Sequence, residues 1–161
     1  MNETRQPTTT LEDQRIPVRA KLAAAWTSLM FLVIYIDYFH LYQPGEIDDI
    51  RGGVIFELDI TPTLLTIFLA LIGIPALMVV LSITLPARVN RATNLVFALL
   101  YIPYSVFNAA GESWDWAFFY GLSIGLEVLL LALILRYAWT WPRTAPSATM
   151  ATKTTTTTSI S

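Results

Sequence analysis

Long apolar segments alternate with short polar segments along this chain. Four of the apolar segments are about 19–24 residues long, close to the roughly 20 residues that a helix needs to cross the hydrocarbon core of a bilayer. They cover residues 22–42, 62–85, 92–110 and 116–137. An isolated strand would leave its backbone groups unpaired in lipid, whereas a helix pairs them within itself. We therefore predict four transmembrane helices.

Residues typical of helix starts and of flexible tails stand at the borders of these segments. Thr61 and Pro62 form an N-cap followed by proline in the first helical turn. Residues 1–21 are polar and residues 142–161 are rich in threonine, so both stretches are predicted to be flexible tails. The predicted fold class is all-α: an integral membrane, up-down four-helix bundle formed by a single transmembrane domain at 22–141.

The basic residues are divided unevenly between the two sides of the predicted helices. Nine of the ten lie in segments 1–21, 86–91 and 138–161 or at Arg136, whereas the loops on the opposite side contain only Arg51. Because loops rich in Lys and Arg stay in the cytoplasm, both termini are predicted to be cytoplasmic. All five tryptophans fall near predicted interfaces, as in an aromatic belt: Trp26, Trp139 and Trp141 inside, Trp114 and Trp116 outside.

Composition narrows the chemistry that the chain can carry. Hydrophobic residues make up 55% of it and charged residues only 14%, which is unusual for a soluble domain. The absence of cysteine excludes disulfides and thiolate metal sites, and a single histidine, His40, excludes bis-histidine haem ligation within one chain. We expect no metal site, no cofactor and no nucleic-acid partner. His40 lies at the outer end of the first segment and is interpreted as an interface residue.

Two carboxylates, Asp37 and Glu127, lie inside the apolar segments. A charge at the bilayer centre costs about 2.5–3.5 kcal/mol on insertion scales, so such residues face a bundle interior and pair or stay protonated. At about 1.5 Å of rise per residue, Glu127 lies roughly 16 Å below the outer interface and Asp37 only about 9 Å. Because no Lys or Arg lies within a segment at the depth of Glu127, this carboxyl is predicted to be neutral.

Further polar residues share a level or a helix face with these carboxylates. Helical spacing puts Tyr120, Ser123 and Glu127 on one stripe of the fourth segment. A second stripe, on the third segment, contains Asn94, Tyr101, Ser105 and Asn108. By the same rise per residue, Tyr101 is level with Glu127. The candidate substrate- or proton-binding residues are therefore Glu127, Asp37, Tyr101, Tyr104, Ser123 and Asn108. Of these, we expect Asp37, Tyr101 and Glu127 to face the interior.

Proline interrupts two of the predicted helices. Pro75 and Pro103 should each free the carbonyl four residues earlier, at Leu71 and Leu99, and kink the helix. Both carbonyls come out at roughly the depth of Glu127, so a protonated carboxyl at this position could donate to one of them. Broken helices beside a midplane carboxyl are also the way in which transporters build binding sites.

Structural explanations compete with these assignments. Glu127 as a neutral hydrogen-bond donor between helices, Asp37 as a residue that snorkels to the outer surface, and the tyrosines as packing residues all stay open. Gly121 and Gly125 permit close helix approach, either within the bundle or in a homo-oligomer. The outer loops carry seven acids and one base, which are interpreted as a solvated acidic rim.

A set of motifs runs from the first apolar segment to Trp141. It consists of Tyr35-x-Asp37, Ile74-Pro75-Ala76-Leu77-Met78-Val79-Val80-Leu81-Ser82, Leu85-Pro86-x-x-x-Asn90-Arg91-x-x-Asn94, Glu127 and Tyr137-Ala138-Trp139-x-Trp141. In these motifs, which span about three quarters of the chain, it resembles a family of small four-helix prokaryotic membrane proteins known only as a domain of unknown function. The resemblance implies the four-span topology and a place in the prokaryotic cytoplasmic membrane, but no activity. The chain departs from the family pattern at Gly73, where the family has an acidic residue.

Three functions are compatible with the sequence, and the absence of a visible nucleophile–base constellation or phosphate loop favours those without catalysis. The first is a small transporter or permeation-type protein that binds a proton or an organic cation at Glu127, with Asp37 nearer the outer entrance. The second is a structural or accessory subunit of a membrane complex, with contacts through Gly121 and Gly125. The third is a membrane-embedded lipid-modifying enzyme. A polar cavity at Glu127 would favour the first or third function, and a dry interior the second.

Overall fold

Helices dominate the computed structural model, which describes residues 15–56, 58–107 and 114–142. In chain order the elements are α1 (Val18–His40), α2 (Glu46–Arg51), β1 (Val54–Ile55), β2 (Leu58–Asp59), α3 (Pro62–Thr84), α4 (Ala87–Phe107), a 3-10 turn (Trp114–Trp116) and α5 (Ala117–Trp139). The four long helices α1, α3, α4 and α5 coincide with the four predicted apolar segments, and each begins within five residues of the predicted start. The candidate residue Asn108 lies outside the described residues.

In the part of the chain that the structure describes, three helical stretches are long and apolar enough to cross a membrane: α1, α3 and Trp114–Trp139. The mean hydropathy of their most apolar windows is 1.6, 2.8 and 2.3, respectively. Within the described residues, α4 has 21 residues but is not among them. It is less apolar because its first two turns contain two arginines, at Arg88 and Arg91, and two asparagines, at Asn90 and Asn94.

The long helices pack side by side. α1 contacts both α3 and α5, α5 also contacts α4, and α3 and α4 meet more sparsely. The start of α1 meets the end of α3, where Arg19 donates a hydrogen bond to the carbonyl of Ile83 at 2.7 Å. The start of α4 and the end of α5 lie at this same end, which we call the inner end. We call the opposite end, where α1 finishes and α5 begins, the outer end.

The tightest packing lies in the inner half. Its buried core consists of Leu22, Ala25, Trp26, Leu29, Val33, Met78, Ala98, Tyr101, Leu131, Ile134 and Ala138. Trp26 is fully buried and donates its indole N–H to Asn94 Oδ1 at 2.6 Å. The prediction that Trp26 belongs to an interfacial aromatic belt is therefore wrong, because a buried asparagine on α4 satisfies the indole inside the protein.

A short folded segment covers part of the outer end. α2 is bounded by Gly45 and Gly53, whose φ angles of 99° and 86° lie in the left-handed region that glycine adopts without strain. After it, β1 and β2 form an antiparallel pair with Ile55 opposite Leu58. Phe56, at the turn, has a φ of 49°, which is unusual for an aromatic residue. We call α2 and the β1–β2 hairpin together the outer cap. The segment interpreted from sequence as a solvated acidic loop thus contains a defined local fold.

Candidate functional site

Glu127 is the buried carboxyl in the middle of α5. The buried residues of α5 follow three- and four-residue spacing, as the sequence pattern predicts: Tyr120, Ser123, Glu127, Leu131, Ile134 and Ala138. Glu127 is 5% exposed. On the inner side its stripe continues with apolar side chains, and on the outer side with Ser123 and Tyr120. The carboxyl therefore stands at the border between an apolar inner core and a more polar outer half.

Ser105 of α4 lies beside Glu127 and is 1% exposed. The geometry between the two side chains falls short of a hydrogen bond. As a result, among the described residues Ser105 Oγ and Glu127 Oε2 are both buried without a hydrogen-bond partner. Within the same residues, neither of the two ion pairs involves Glu127. A buried polar atom that lacks a partner costs about 1–3 kcal/mol, so this pair is energetically unfavourable unless another group binds there.

Tyr101 is also buried, at 5% exposure, and faces the interior as expected. Its hydroxyl donates a hydrogen bond to the carbonyl of Leu71 on α3. This carbonyl is the one that Pro75 frees, because Pro75 has no N–H to pair with it. The donor to the Leu71 carbonyl is therefore Tyr101, and not Glu127 as the sequence suggested. Tyr101 thus satisfies the carbonyl that α3 leaves unpaired, and Glu127 is not used for this hydrogen bond.

Asp37 departs from the expectation that it faces a closed interior. It follows buried Val33 by four residues and precedes buried His40 by three, so it lies on the stripe of α1 that packs against other helices. Its side chain is nevertheless exposed. Asp37 is close enough to Glu127 for the two carboxyls to interact electrostatically.

The remaining candidates have different surroundings. The ring of Tyr104 packs against that of Tyr101, with 5.2 Å between centroids. Ser123 is buried, but its hydroxyl donates to the carbonyl of Phe119 in its own helix at 2.8 Å, so its hydrogen bond is satisfied within α5. The structure therefore brings Glu127, Ser105 and Tyr101 together and places Asp37 at their outer, accessible side.

A second polar cluster, at the outer end, was missed by the sequence interpretation. His40 is 7% exposed rather than at an interface, and its Nδ1 lies 2.7 Å from the hydroxyl of Tyr120. Gln43 donates to the same hydroxyl at 2.9 Å, and His40 Nε2 lies 2.9 Å from a carboxylate oxygen of Glu46 in the outer cap. We call His40, Gln43, Glu46 and Tyr120 the outer cluster. From the sequence, Tyr120 is predicted only to share a helix stripe with Ser123 and Glu127.

A third polar cluster lies near the inner end, and it too was missed as a unit. Asn94 Oδ1 accepts from Trp26 and, at 3.3 Å, from Ser82 Oγ, while its amide donates to the carbonyl and side-chain oxygens of Asn90 at 2.8 and 2.7 Å. Asn90 in turn donates to the carbonyl of Ser82 at 2.6 Å. We call these four residues the inner cluster. All four are fully buried, and their hydrogen bonds join α1, α3 and α4.

Two open grooves on the surface of the helices lie away from Glu127. One is an open groove of about 470 Å³ at the outer end, lined by Phe39, Tyr42, Gln43, Trp116 and Phe119. The other, of about 240 Å³, lies along α1 and is lined by Phe31, Ile34, Tyr35 and Tyr38. Both are almost entirely apolar. Neither would give an organic cation direct contact with the buried carboxyl.

Gly121 and Gly125 lie on the exposed side of α5. A Cβ atom added at either position would meet nothing within 4 Å. Within the described residues, these glycines therefore make no close contact with another helix of the same chain. Of the two alternatives, close approach within the bundle is thus not seen, and contact in a homo-oligomer stays open.

Taken as a class, this is a helical protein with three helices, among the described residues, that are long and apolar enough to cross a membrane, and with a buried carboxyl of which the Oε2 atom has no partner in that part of the chain. The chain belongs to a family of unknown function, DUF6326, whose model matches residues 13–146. This match confirms the resemblance to an uncharacterised family. No curated protein and no solved structure is significantly similar to the chain.

Proposed function

We propose that the chain is an integral membrane protein with four spans and cytoplasmic termini, in the cytoplasmic membrane of a prokaryote. Three helices meet the length and hydropathy of a span, and α4 supports a fourth because it packs against α5 and meets α3. Two of the polar residues that lower the hydropathy of α4, Asn90 and Asn94, are buried and hydrogen-bonded inside the protein. The basic residues are concentrated on the side of the inner end, as the positive-inside rule expects for cytoplasmic segments.

Thiol labelling tests this topology cleanly because the native chain has no cysteine. We expect Asp48→Cys and Ser113→Cys to react with a membrane-impermeant thiol reagent in intact cells. Arg88→Cys, in the loop between the second and third spans, should react only after the cells are lysed. Labelling of Arg88→Cys from outside intact cells would overturn the orientation.

Within this topology, we propose that the protein is a small transporter or permeation-type protein that binds a proton at Glu127. The observation that carries this proposal is the buried Oε2 atom of Glu127, which has no partner among the described residues. A carboxyl buried in a membrane without a cationic partner binds a proton, since its charged form is unfavourable there. The exposed Asp37 on the inward stripe of α1 lies on the outer side of Glu127 and offers protons an approach from outside.

The surroundings of Glu127 favour a proton over an organic cation. A bound organic cation needs a cavity that covers most of its surface, whereas a proton needs only the carboxyl and a path of exchangeable groups. The two open grooves do not include Glu127 among their lining residues, which disfavours an organic cation. Because neither groove is a polar cavity at Glu127, the criterion set out from the sequence also supports the accessory-subunit alternative, and proton binding rests on the buried Oε2 atom.

A flux assay on purified protein in liposomes tests the proposal. With a pH gradient across the membrane, wild-type protein should carry protons faster than empty liposomes. Glu127→Gln should abolish this flux while folding is kept, because glutamine has a similar shape but cannot titrate. Asp49→Asn, which neutralises an exposed carboxyl of the outer cap, is the matched control and should retain wild-type flux. Equal flux in wild type and Glu127→Gln would refute proton transport through this residue.

One observation favours a second candidate, an accessory subunit of a membrane complex or a homo-oligomer. Gly121 and Gly125 face outward with open space before them, so another helix could approach α5 closely there. If so, Gly121→Leu should lower cross-linking between copies, whereas Gly73→Leu, at an equally open glycine of α3, should not. Unchanged cross-linking in both variants would remove the support for this candidate.

A further inference from the structure

The outer cluster is built around a buried histidine with a partner on each ring nitrogen. His40 is the last residue of α1, and its side chain is only 9% exposed. Nδ1 faces the Tyr120 hydroxyl of α5 at 2.7 Å, and Nε2 faces the Glu46 carboxylate of α2 at 2.9 Å. Although Nε2 is this close to the carboxylate, the geometry there is not that of a hydrogen bond. Nε2 therefore makes an ion-pair contact with Glu46 but no hydrogen bond within the described residues.

The outer cap limits access to the histidine to one side. The Phe56 ring lies over the imidazole with 5.0 Å between centroids, and it also contacts Phe68 of α3 at 6.4 Å. Phe56 holds this position with its backbone in the left-handed region, a conformation that is costly for a non-glycine residue and that needs support from its surroundings. The Glu46 side chain, 24% exposed, is the member of the ion pair that reaches the surface.

Two helices lead from this cluster toward Glu127. On α1, Asp37 lies one helical turn inward of His40. On α5, Tyr120, Ser123 and Glu127 follow one another on the same buried stripe. Histidine, tyrosine and carboxyl groups can all accept and release protons, and histidine is a common proton shuttle because its neutral and charged forms are close in energy near neutral pH.

We propose that Glu46, His40 and Tyr120 form a proton-entry site that supplies Asp37 and, through it, the buried carboxyl of Glu127 from the outer side. This inference rests on the proposed function, because it assigns the route by which a proton reaches Glu127. It gives the outer cap a role, namely to hold Glu46 against the histidine.

The relay leaves the number of protons on His40 and on Tyr120 unchanged. In the starting state the neutral ring carries its proton on Nδ1, and the Tyr120 oxygen accepts hydrogen bonds from Nδ1–H and from Gln43. A proton bound by Glu46 passes to Nε2, the Nδ1 proton passes to the Tyr120 oxygen, and the Tyr120 hydroxyl proton leaves for the Asp37 carboxylate. One proton enters, one is delivered, and the ring resets by exchanging its tautomer.

The pH dependence of the relay follows from the groups that face His40. Among the described residues these are Asp37 of α1, Glu46 of α2 and Tyr120 of α5, while the hairpin contributes the uncharged Phe56. Each of these three titratable side chains can exchange a proton with the ring. A variant that cannot titrate at position 40 should therefore lose the part of the pH profile that depends on this ring, whereas a purely structural histidine would leave the profile unchanged.

The test compares His40→Gln and Tyr120→Phe with wild type in the liposome assay. Glutamine keeps a donor and an acceptor at position 40 but cannot relay a proton, and phenylalanine keeps the ring of Tyr120. Each variant should fold as wild type does and should lower proton flux by about tenfold or more, the scale on which positioned acid–base groups act. Tyr42→Phe, at an exposed tyrosine of the same region, is the control and should leave the flux unchanged. Imidazole added outside should restore flux to a His40→Ala variant.

A second measurement separates the relay from the transport function. In detergent, the rate at which the Glu127 carboxyl exchanges its proton for deuterium can be followed by infrared spectroscopy. We expect His40→Gln to slow this exchange, whether or not the protein transports protons. Normal flux in His40→Gln together with lost flux in Glu127→Gln would overturn the relay and leave the proposed function standing. Absence of flux in wild type would refute the proposed function, and unchanged deuterium exchange in His40→Gln would then refute the relay as well.

Discussion

The inner cluster and the Ser105–Glu127 pair are both buried polar groups, yet they differ in whether their hydrogen bonds are made. In the inner cluster, Asn94 alone takes part in four hydrogen bonds. In the Ser105–Glu127 pair, by contrast, a hydroxyl and a carboxyl oxygen have no partner among the described residues. A cluster whose hydrogen bonds are all made holds helices together, whereas a cluster with an unpartnered oxygen can bind a proton. We therefore assign structure to the first and proton binding to the second.

Energetics support this division. Hydrogen bonds between membrane helices contribute about 0.6 kcal/mol each on average, with a maximum of about 1.7, so several shared bonds are needed to anchor α1, α3 and α4. The inner cluster provides them. A buried unpartnered polar atom, in contrast, costs about 1–3 kcal/mol, and the surrounding packing must compensate for it. Groups kept at such a cost are concentrated at functional sites.

The largest effect on stability should come from Asn94→Leu. Leucine fills a similar volume but leaves the buried indole N–H of Trp26 and the side-chain oxygen of Asn90 without their partner. We expect a loss of about 2 kcal/mol in the free energy of unfolding, measured by denaturant unfolding in detergent micelles. Flux per folded molecule should stay close to that of wild type.

Two controls sharpen this contrast. Val96→Ala, at an exposed position of the same helix, should change stability by less than about 0.5 kcal/mol. Glu127→Gln should show the reverse of Asn94→Leu, with flux lost and stability kept. If Asn94→Leu instead removed flux without lowering stability, the inner cluster would belong to the transport path and the division between the two regions would be wrong.

The smallest effect, and the most selective comparison, concerns two buried serines. Ser82 donates to Asn94, so Ser82→Ala should cost about 0.5–1 kcal/mol in the free energy of unfolding. Ser105 has no hydrogen-bond partner in the described ranges, so Ser105→Ala should be neutral or slightly stabilising, since it removes an unsatisfied buried hydroxyl. Denaturant unfolding in detergent micelles measures the change in the free energy of unfolding for both variants. A larger loss for Ser105→Ala than for Ser82→Ala would show that the Ser105 hydroxyl is satisfied after all.

The helices and the stripe of α4 could be predicted because both follow from local pattern. Apolar length located α1, α3 and α5, and helical spacing put Tyr101 and Ser105 on one buried face, which the structure confirms. Trp26 could not be assigned in this way. A tryptophan near a helix end fits an aromatic belt, and only the approach of Asn94, 68 residues away, shows that its indole is satisfied inside.

The outer cluster was out of reach of sequence reasoning for the same reason. His40 and Tyr120 are 80 residues apart, and nothing local to either position indicates that the ends of α1 and α5 meet. From its sequence, the outer cap is interpreted as an acidic loop. Its six-residue helix and two-residue strands are too short to show a periodic pattern of apolar residues. Exposure of Asp37 likewise depends on how closely the neighbouring helices approach, which spacing along one helix does not determine.

Proton binding at Glu127 requires a carboxyl that is protonated and accessible, and infrared spectroscopy of the purified protein measures both properties. At neutral pH we expect a band from a protonated carboxyl that is absent in Glu127→Gln and present in Asp49→Asn. In deuterated water this band should shift, because the carboxyl exchanges its proton with the outer solution through Asp37 and the outer cluster. A band that belongs to an ionised carboxylate at neutral pH, or a protonated band that never exchanges, would contradict proton binding at Glu127.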